Sequence, residues 1–229
     1  MQGLNAELQL LCGCSDRHIQ VLESMACGVH RDVVRPFSRL CQRAADAGFD
    51  LRVASGFRAF DRQLHIWNLK ACGQRPVLDN EGQVIDVNGL CERDKVFAIL
   101  RWSALPGASR HHWGTDLDVY DAAAVPRDYQ LQLIPEEYTG DGPFAPLSQW
   151  LAERIDQGEA LGFVLPYEED RGGVAPEPWH LSYKPLASRF EQQLTVAGLR
   201  LVLEQSELAL KSTVLEHLDE IYGRFVYVR

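Results

Sequence analysis

Ser109-Arg110-His111-His112-Trp113-Gly114-Thr115-Asp116-Leu117-Asp118 holds two histidines and two carboxylates in a single short stretch. An inert domain has little use for such a concentration of polar groups. The segment 109–120 reads as a loop that passes into a strand, and i, i+2 spacing puts Asp116 and Asp118 on one strand face. A turn at Gly114 would carry that strand back past the histidine, so that an imidazole and a carboxylate seven residues apart converge. Neutral imidazole and carboxylate are both good zinc ligands, at about 2.0–2.2 Å.

Two further segments carry matching chemistry. In Glu177-Pro178-Trp179-His180, His180 would supply a third ligand and leave the fourth position for water, as a catalytic site requires. Glu177, three residues earlier, stands where it can take a proton from that water. Ser55-Gly56-Phe57-Arg58, with Gln63 nearby, offers a cation and an amide. His18, His30, His65 and His217 read as ordinary core or surface histidines, and Trp113 and Trp179 as core or wall.

Around these segments short strands mix with helices. Val33, Val34, Phe37, Leu40, Cys41 and Ala44 recur at helical spacing over 32–47, and Gly48 follows as a stop. A strand at 51–54 enters the Ser55–Arg58 turn, and a helix over 61–70 turns Leu64 and Trp67 inward. A hairpin over 77–87 turns at Asn80-Glu81-Gly82, and a helix covers 94–103. The Pro-, Gly- and acid-rich stretch 126–146 reads as a long surface loop. Beyond it come a helix over 147–161 and a strand over 179–183. The first thirty residues read as helical. The tail 187–222 reads as one or two helices broken near Gly198, with a strand-like end at 224–228. No regular βαβ rhythm appears, which indicates an α+β fold.

A chain of 229 residues, 46% apolar and 24% charged, is long enough to enclose one proper core. Its net charge of -9 argues against nucleic acid and against an anionic membrane surface as partners, since phosphate contacts need clustered Lys and Arg. No apolar run of about eighteen residues marks a membrane span. Leu11-Cys12-Gly13-Cys14 superficially matches the end of a lipoprotein signal. However, no Lys or Arg precedes it, and Glu7 interrupts a short apolar stretch. The six cysteines therefore read as reduced thiols of a cytoplasmic protein.

Ser109-x-His111-x-x-Gly114-x-Asp116-x-Asp118, followed by Glu177-x-x-His180 and preceded by Ser55-Gly56-Phe57-Arg58 with Gln63, resembles the VanY-type D-alanyl-D-alanine carboxypeptidase family. That family includes VanX dipeptidases, LD-carboxypeptidases and some phage endolysins, and shares its fold with the hedgehog signalling domain. Three ordered motifs are far more specific than any single one. The likeness spans roughly 32–183.

The resemblance implies one zinc peptidase domain over 1–229, with a motif-bearing core at 31–185 and a C-terminal helical extension at 186–229. Its small antiparallel sheet would carry Zn2+ on His111, Asp118 and His180, amid packed helices. Glu177 would be the base and Arg58 would face the scissile carbonyl. Ser109, Gln63 and Ser55 would bind polar groups of a peptidoglycan peptide. The expected reaction removes the terminal residue from a D-Ala-D-Ala or L,D peptide. An endolysin-like endopeptidase and a non-catalytic zinc-binding module are the alternatives. Asp116 stands where the family often has a small residue. Two roles are open to it: a partner orienting a ligand, or a second carboxylate at the metal. His112 raises a similar question beside His111, which is the preferred ligand because adjacent strand residues face opposite ways.

Overall fold

The computed structural model describes residues 3–22 and 27–227. The chain begins with α1 (Ala6–Leu11) and the hairpin β1 (Ile19–Leu22)–β2 (Cys27–His30). These lead through α2 (Arg31–Asp46) to β3 (Leu51–Ser55). Next come α3 (Phe60–Ala71), the hairpin β4 (Val77–Leu78)–β5 (Val84–Ile85) and α4 (Glu92–Trp102). After a 3₁₀ turn at Arg110–Trp113 the chain forms β6 (Asp116–Asp121), α5 (Pro135–Tyr138), α6 (Ala145–Asp156) and β7 (Phe163–Val164). It finishes with β8 (His180–Tyr183), α7 (Lys184–Gln193), α8 (Val196–Glu204), α9 (Lys211–Glu216) and α10 (Leu218–Ile221).

The main sheet has the order β3-β6-β8-β7, with every neighbouring pair antiparallel. Strand alternation gives it two different faces. Leu117 and Val119 of β6 and Leu181 of β8 turn to one side. There they meet Val33, Phe37, Leu40 and Ala44, the buried stripe of α2, together with Leu147 and Leu151 of α6. Burying each of these Val, Leu and Phe side chains contributes about 1.5–3 kcal/mol. Asp116, Asp118, His180 and Ser182 occupy the alternate positions. A second apolar cluster joins Leu11 of α1, Phe60 and Trp67 of α3, and Ile99 and Leu100 of α4 to Leu199, Val202, Val214, Leu218 and Ile221. The C-terminal helices thus share a core with α1, α3 and α4.

Several expectations need correction. Among the described residues of the first thirty there is one short helix, and β1 and β2 pair where helix was expected; residues 1, 2 and 23–26 lie outside the described set. The stretch 126–146 is no plain surface loop. It contains α5, and Tyr138 and Phe144 are buried against Trp179. Its acidic composition misleads because the Glu137 carboxylate is buried and accepts bonds from Tyr129 Oη and from the N–H groups of Gln132 and Leu133.

The helix expected over 147–161 ends at Asp156, and Gly158 follows at φ +69° in the left-handed region. The tail forms four helices. Its first break falls at Leu194-Thr195, where Thr195 caps α8 through Gly198 N–H; Gly198 itself lies inside the helix. Leu201 of α8 faces outward and is exposed. The strand-like end is instead a π-helical turn at Tyr222–Val226, and Val228 lies outside the described residues. Among the described residues no helix is long and apolar enough to cross a membrane.

Candidate active site

The sheet register assembles the site. Ser55 of β3 is paired with Asp118 of β6, and Asp118 with His180 of β8, so the three residues form one row across the sheet. An irregularity between Val53 and Ser55 re-aims the end of β3. His111 arrives from the 3₁₀ turn, which Gly114 closes at φ +66°. A Cβ on Gly114 would lie 2.8 Å from the backbone nitrogen of His30, so glycine is required there for close approach as well as for its backbone angle. Because His111 and His112 sit on a helical turn, strand alternation is not what separates them. His112 is fully buried, takes Gly107 N–H on Nε2, and lies with Nδ1 2.6 Å from Arg58 O. Burial holds its pKa down at about 3, so the ring stays neutral and braces the backbone of Arg58.

His111, Asp118 and His180 present one ligand atom each, all within 4.8 Å of one another. His111 Nε2 is 3.3 Å from Asp118 Oδ2, and His180 Nδ1 is 3.4 Å from Asp118 Oδ1. Tetrahedral zinc ligands at about 2.1 Å would stand about 3.4 Å apart. The outer ring nitrogens are already engaged. His111 Nδ1 lies 2.9 Å from Gly56 O, and His180 Nε2 lies 3.1 Å from Asp116 Oδ1. Each outer nitrogen can keep its proton when a metal takes the inner one, which faces Asp118, the orientation metal-binding histidines require. Asp118 Oδ1 is buried without a hydrogen-bond partner, a costly arrangement that a cation would relieve. The donor set therefore fits a zinc ion.

Asp116 orients a histidine. It is wholly buried and also accepts from Arg110 Nε at 2.8 Å and Thr115 Oγ1 at 2.6 Å. Arg110 reaches on to Ser182 Oγ and Glu191. Burial opposes charge on Asp116, but Arg110 and then His180 outweigh it and hold the carboxyl well below its usual range. Burial likewise opposes charge on His180, yet Asp116, Asp118 and Glu177 raise its pKa well above the usual value. Asp118 is held low against burial chiefly by His111.

Glu177 Oε2 lies 3.2 Å from His180 Nδ1. The Glu177 backbone is tied to Tyr167 O, and the Tyr167 ring stands edge-on to His180 at 4.9 Å. Arg58 donates Nη1 to Gln63 Oε1 and Nη2 to Ser55 Oγ. Gln63 is completely buried, and its amide nitrogen is taken by Ala104 O at 2.7 Å.

A cavity of about 250 Å³ opens onto this group. Arg58, Ser109, His111, Asp118, Glu177 and His180 line it, whereas Ser55 and Gln63 do not. Those two hold Arg58 from behind, so their amide and hydroxyl act on the arginine. The cavity wall also includes residues that motif reading passed over: Lys70, Trp102, Tyr167 and the segment 132–134. Lys70 was legible in part, because it lies three residues beyond Trp67 on the inward side of α3. Tyr167 had no sequence signal.

An antiparallel α+β sheet that turns a buried His/Asp/His set and a glutamate toward a small cavity defines a class: domains equipped to hold a metal ion beside a proton acceptor. The family profile described as VanY, D-alanyl-D-alanine carboxypeptidase, matches residues 27–186. The chain belongs to this carboxypeptidase family.

Two uncharacterised proteins of Haemophilus influenzae (strain ATCC 51907 / DSM 11121 / KW20 / Rd) are similar. One is 36% identical over 124 residues, covering 53% of this chain and 92% of that protein. The other is 43% identical over 100 residues, covering 42% and 68%. Among solved structures, VanYB in complex with D-alanine-D-alanine superposes with a TM-score of 0.52 at 21% identity, covering 84% of this chain and 91% of that one. A mutant of the vancomycin-resistance D,D-pentapeptidase VanY in complex with Zn(II) gives 0.50 at 19%, covering 87% and 92%. These likenesses establish the shared hedgehog/DD-peptidase-type α+β fold.

Proposed function

We propose that this protein is a zinc-dependent carboxypeptidase that removes the C-terminal D-alanine from peptidoglycan peptides. The observation that carries this reading is the convergence of His111 Nε2 and His180 Nδ1 on the Asp118 carboxylate, beside Glu177. The Zn(II) and D-alanine-D-alanine complexes of the two VanY-type structures support it.

His111 Nε2, His180 Nδ1 and Asp118 would hold the zinc. Zinc bound there would polarise the scissile carbonyl and lower the pKa of water towards about 7. Glu177 takes the proton from the attacking water as its oxygen bonds to the carbonyl carbon. The same carboxylate then delivers that proton to the amide nitrogen, the C–N bond breaks, and the amine leaves. Arg58 remains protonated although burial lowers its pKa. Held by Gln63 and Ser55, it faces the oxyanion, where one preorganised donor is worth about 3–4 kcal/mol.

The test pairs metal content with D-alanine release from a pentapeptide ending in D-Ala-D-Ala. One zinc per chain and chelator-sensitive release are expected. Glu177→Ala should keep the zinc and lose nearly all turnover, and His180→Ala should lose the zinc. Failure to bind zinc even on addition would overturn the reading. Zinc with no D-alanine, but two larger fragments from cross-linked muropeptides, would replace it with an endopeptidase.

A further inference from the structure

Lys70 is the cation on the cavity wall that the chemistry above does not use. It lies on α3, is 9% exposed, and lines the same cavity as Arg58 and Glu177. The cavity's other cations have partners: Arg110 is engaged by Asp116, Ser182 and Glu191, and Arg58 by Gln63 and Ser55. Among the described residues no carboxylate lies within salt-bridge distance of the Lys70 ammonium. Burial, and then Arg75, bring its pKa down to about 8, while Glu177 draws it up. The amine therefore still carries its charge at neutral pH. A cation on a largely enclosed side chain without a counter-charge is costly, and such a group on the wall of a binding cavity implies an anion supplied by the ligand.

The shape and chemistry of the cavity define that anion. At about 250 Å³ it is smaller than the roughly 300–1,000 Å³ of sites that engulf whole ligands, so it suits the end of a chain. Glu177 and Asp118 stand at the reacting bond, and Arg58 serves its carbonyl oxygen. A C-terminal peptide also brings a free carboxylate one residue further on. Gln63, matched by motif to substrate polar groups, has both ends of its amide spent on Arg58 and Ala104.

We infer that Lys70 binds the substrate's C-terminal carboxylate, and that this ion pair restricts the enzyme to the last peptide bond of a chain. The inference rests on the carboxypeptidase reading for the bond that is cut, but not for the binding itself. An enzyme cutting internal bonds would have no free carboxylate for Lys70 to meet.

The experiment compares a diacetyl-L-Lys-D-Ala-D-Ala peptide with its C-terminal amide on the full chain supplied with zinc. Binding is measured by calorimetry on the Glu177→Gln protein, with turnover followed in parallel on the unmodified chain. Lys70 is tested as Lys70→Met and Lys70→Arg. Lys70→Met removes a desolvated charge at nearly constant volume, so the fold should keep or gain thermal stability, and a melt verifies this.

With Lys70 present, the acid should bind at least about tenfold more tightly than the amide, about 1.4 kcal/mol. Lys70→Met should erase that ratio while leaving amide affinity within about twofold, and Lys70→Arg should restore most of it. Lys70→Met retaining the ratio, or weakening acid and amide equally, overturns the inference, as does acid bound no better than amide by the starting protein. Acid-selective binding that depends on Lys70 but yields no D-alanine would uphold the anchor and refute the carboxypeptidase reading alone.

Discussion

Asp116→Asn isolates the role of one buried charge. The asparagine keeps the shape and an acceptor for Arg110 Nε and His180 Nε2, and the Thr115 hydroxyl can turn to accept from the new amide. What disappears is the charge facing a wholly enclosed guanidinium. Removing one partner of a buried pair costs about 3–5 kcal/mol. Glu191 remains 3.3 Å from Arg110, which places the expected loss near the lower end, about 3 kcal/mol. For a chain of this size about 2–4 °C of melting temperature follows each kcal/mol, so the metal-free variant should melt about 6–12 °C lower.

The pH dependence has a definite sign. The Asp116 carboxyl is held below its unfolded value, so its stabilisation is present above about pH 3.9 and is lost as pH falls through the folded value. His180 is raised, so its share is complete below about pH 6.5 and is lost as pH rises through its folded value. The gap between the two proteins should therefore be widest between about pH 4 and 6.5. Loss of the carboxylate that orients His180 should also weaken zinc about 10–100-fold, read by competition with a chelator. A chelator-treated melt within about 2 °C of the starting protein, together with unchanged zinc affinity, would refute the reasoning.

Gln63→Leu removes the acceptor for Arg58 and the donor for Ala104 O, at about 1–3 kcal/mol for groups left unsatisfied. It should lower kcat/KM about tenfold or more with zinc content unchanged; full activity would show that Arg58 needs no such support. Glu137→Gln weakens the bonds that hold the N–H groups of Gln132 and Leu133, beside a Leu133 at φ 56°. Bonds to a charged acceptor are worth about 1.5–3 kcal/mol, so hydrogen exchange at those two amides should accelerate about tenfold or more, and KM should rise. Unaltered exchange would remove Glu137 as the strut of that wall.

The residue types of the site were legible because the motifs keep fixed local spacings. Asp116 and Asp118 share a strand face, and Glu177 lies one turn ahead of His180; local backbone geometry sets both relations. The helix stripes were legible for the same reason: Val33, Phe37, Leu40 and Ala44 follow the helical repeat. The tail was less legible. Its helices are short and are bounded by capping and by packing against α1, α3 and α4, so Gly198 was a poor guide to the break.

What only the tertiary structure decided concerns groups far apart in sequence. Pairing of β3, β6 and β8 set Ser55, Asp118 and His180 in one row, which local periodicity does not specify. Gly56 O and Asp116 selected the inner nitrogens of the histidines. Packing sent Gln63 behind Arg58 and brought Lys70 to the cavity wall. It also folded 126–146 inward around Glu137, Tyr138 and Phe144. A sequence states which chemical groups are available along the chain; register and burial determine which of them meet, because those depend on contacts the local pattern does not encode.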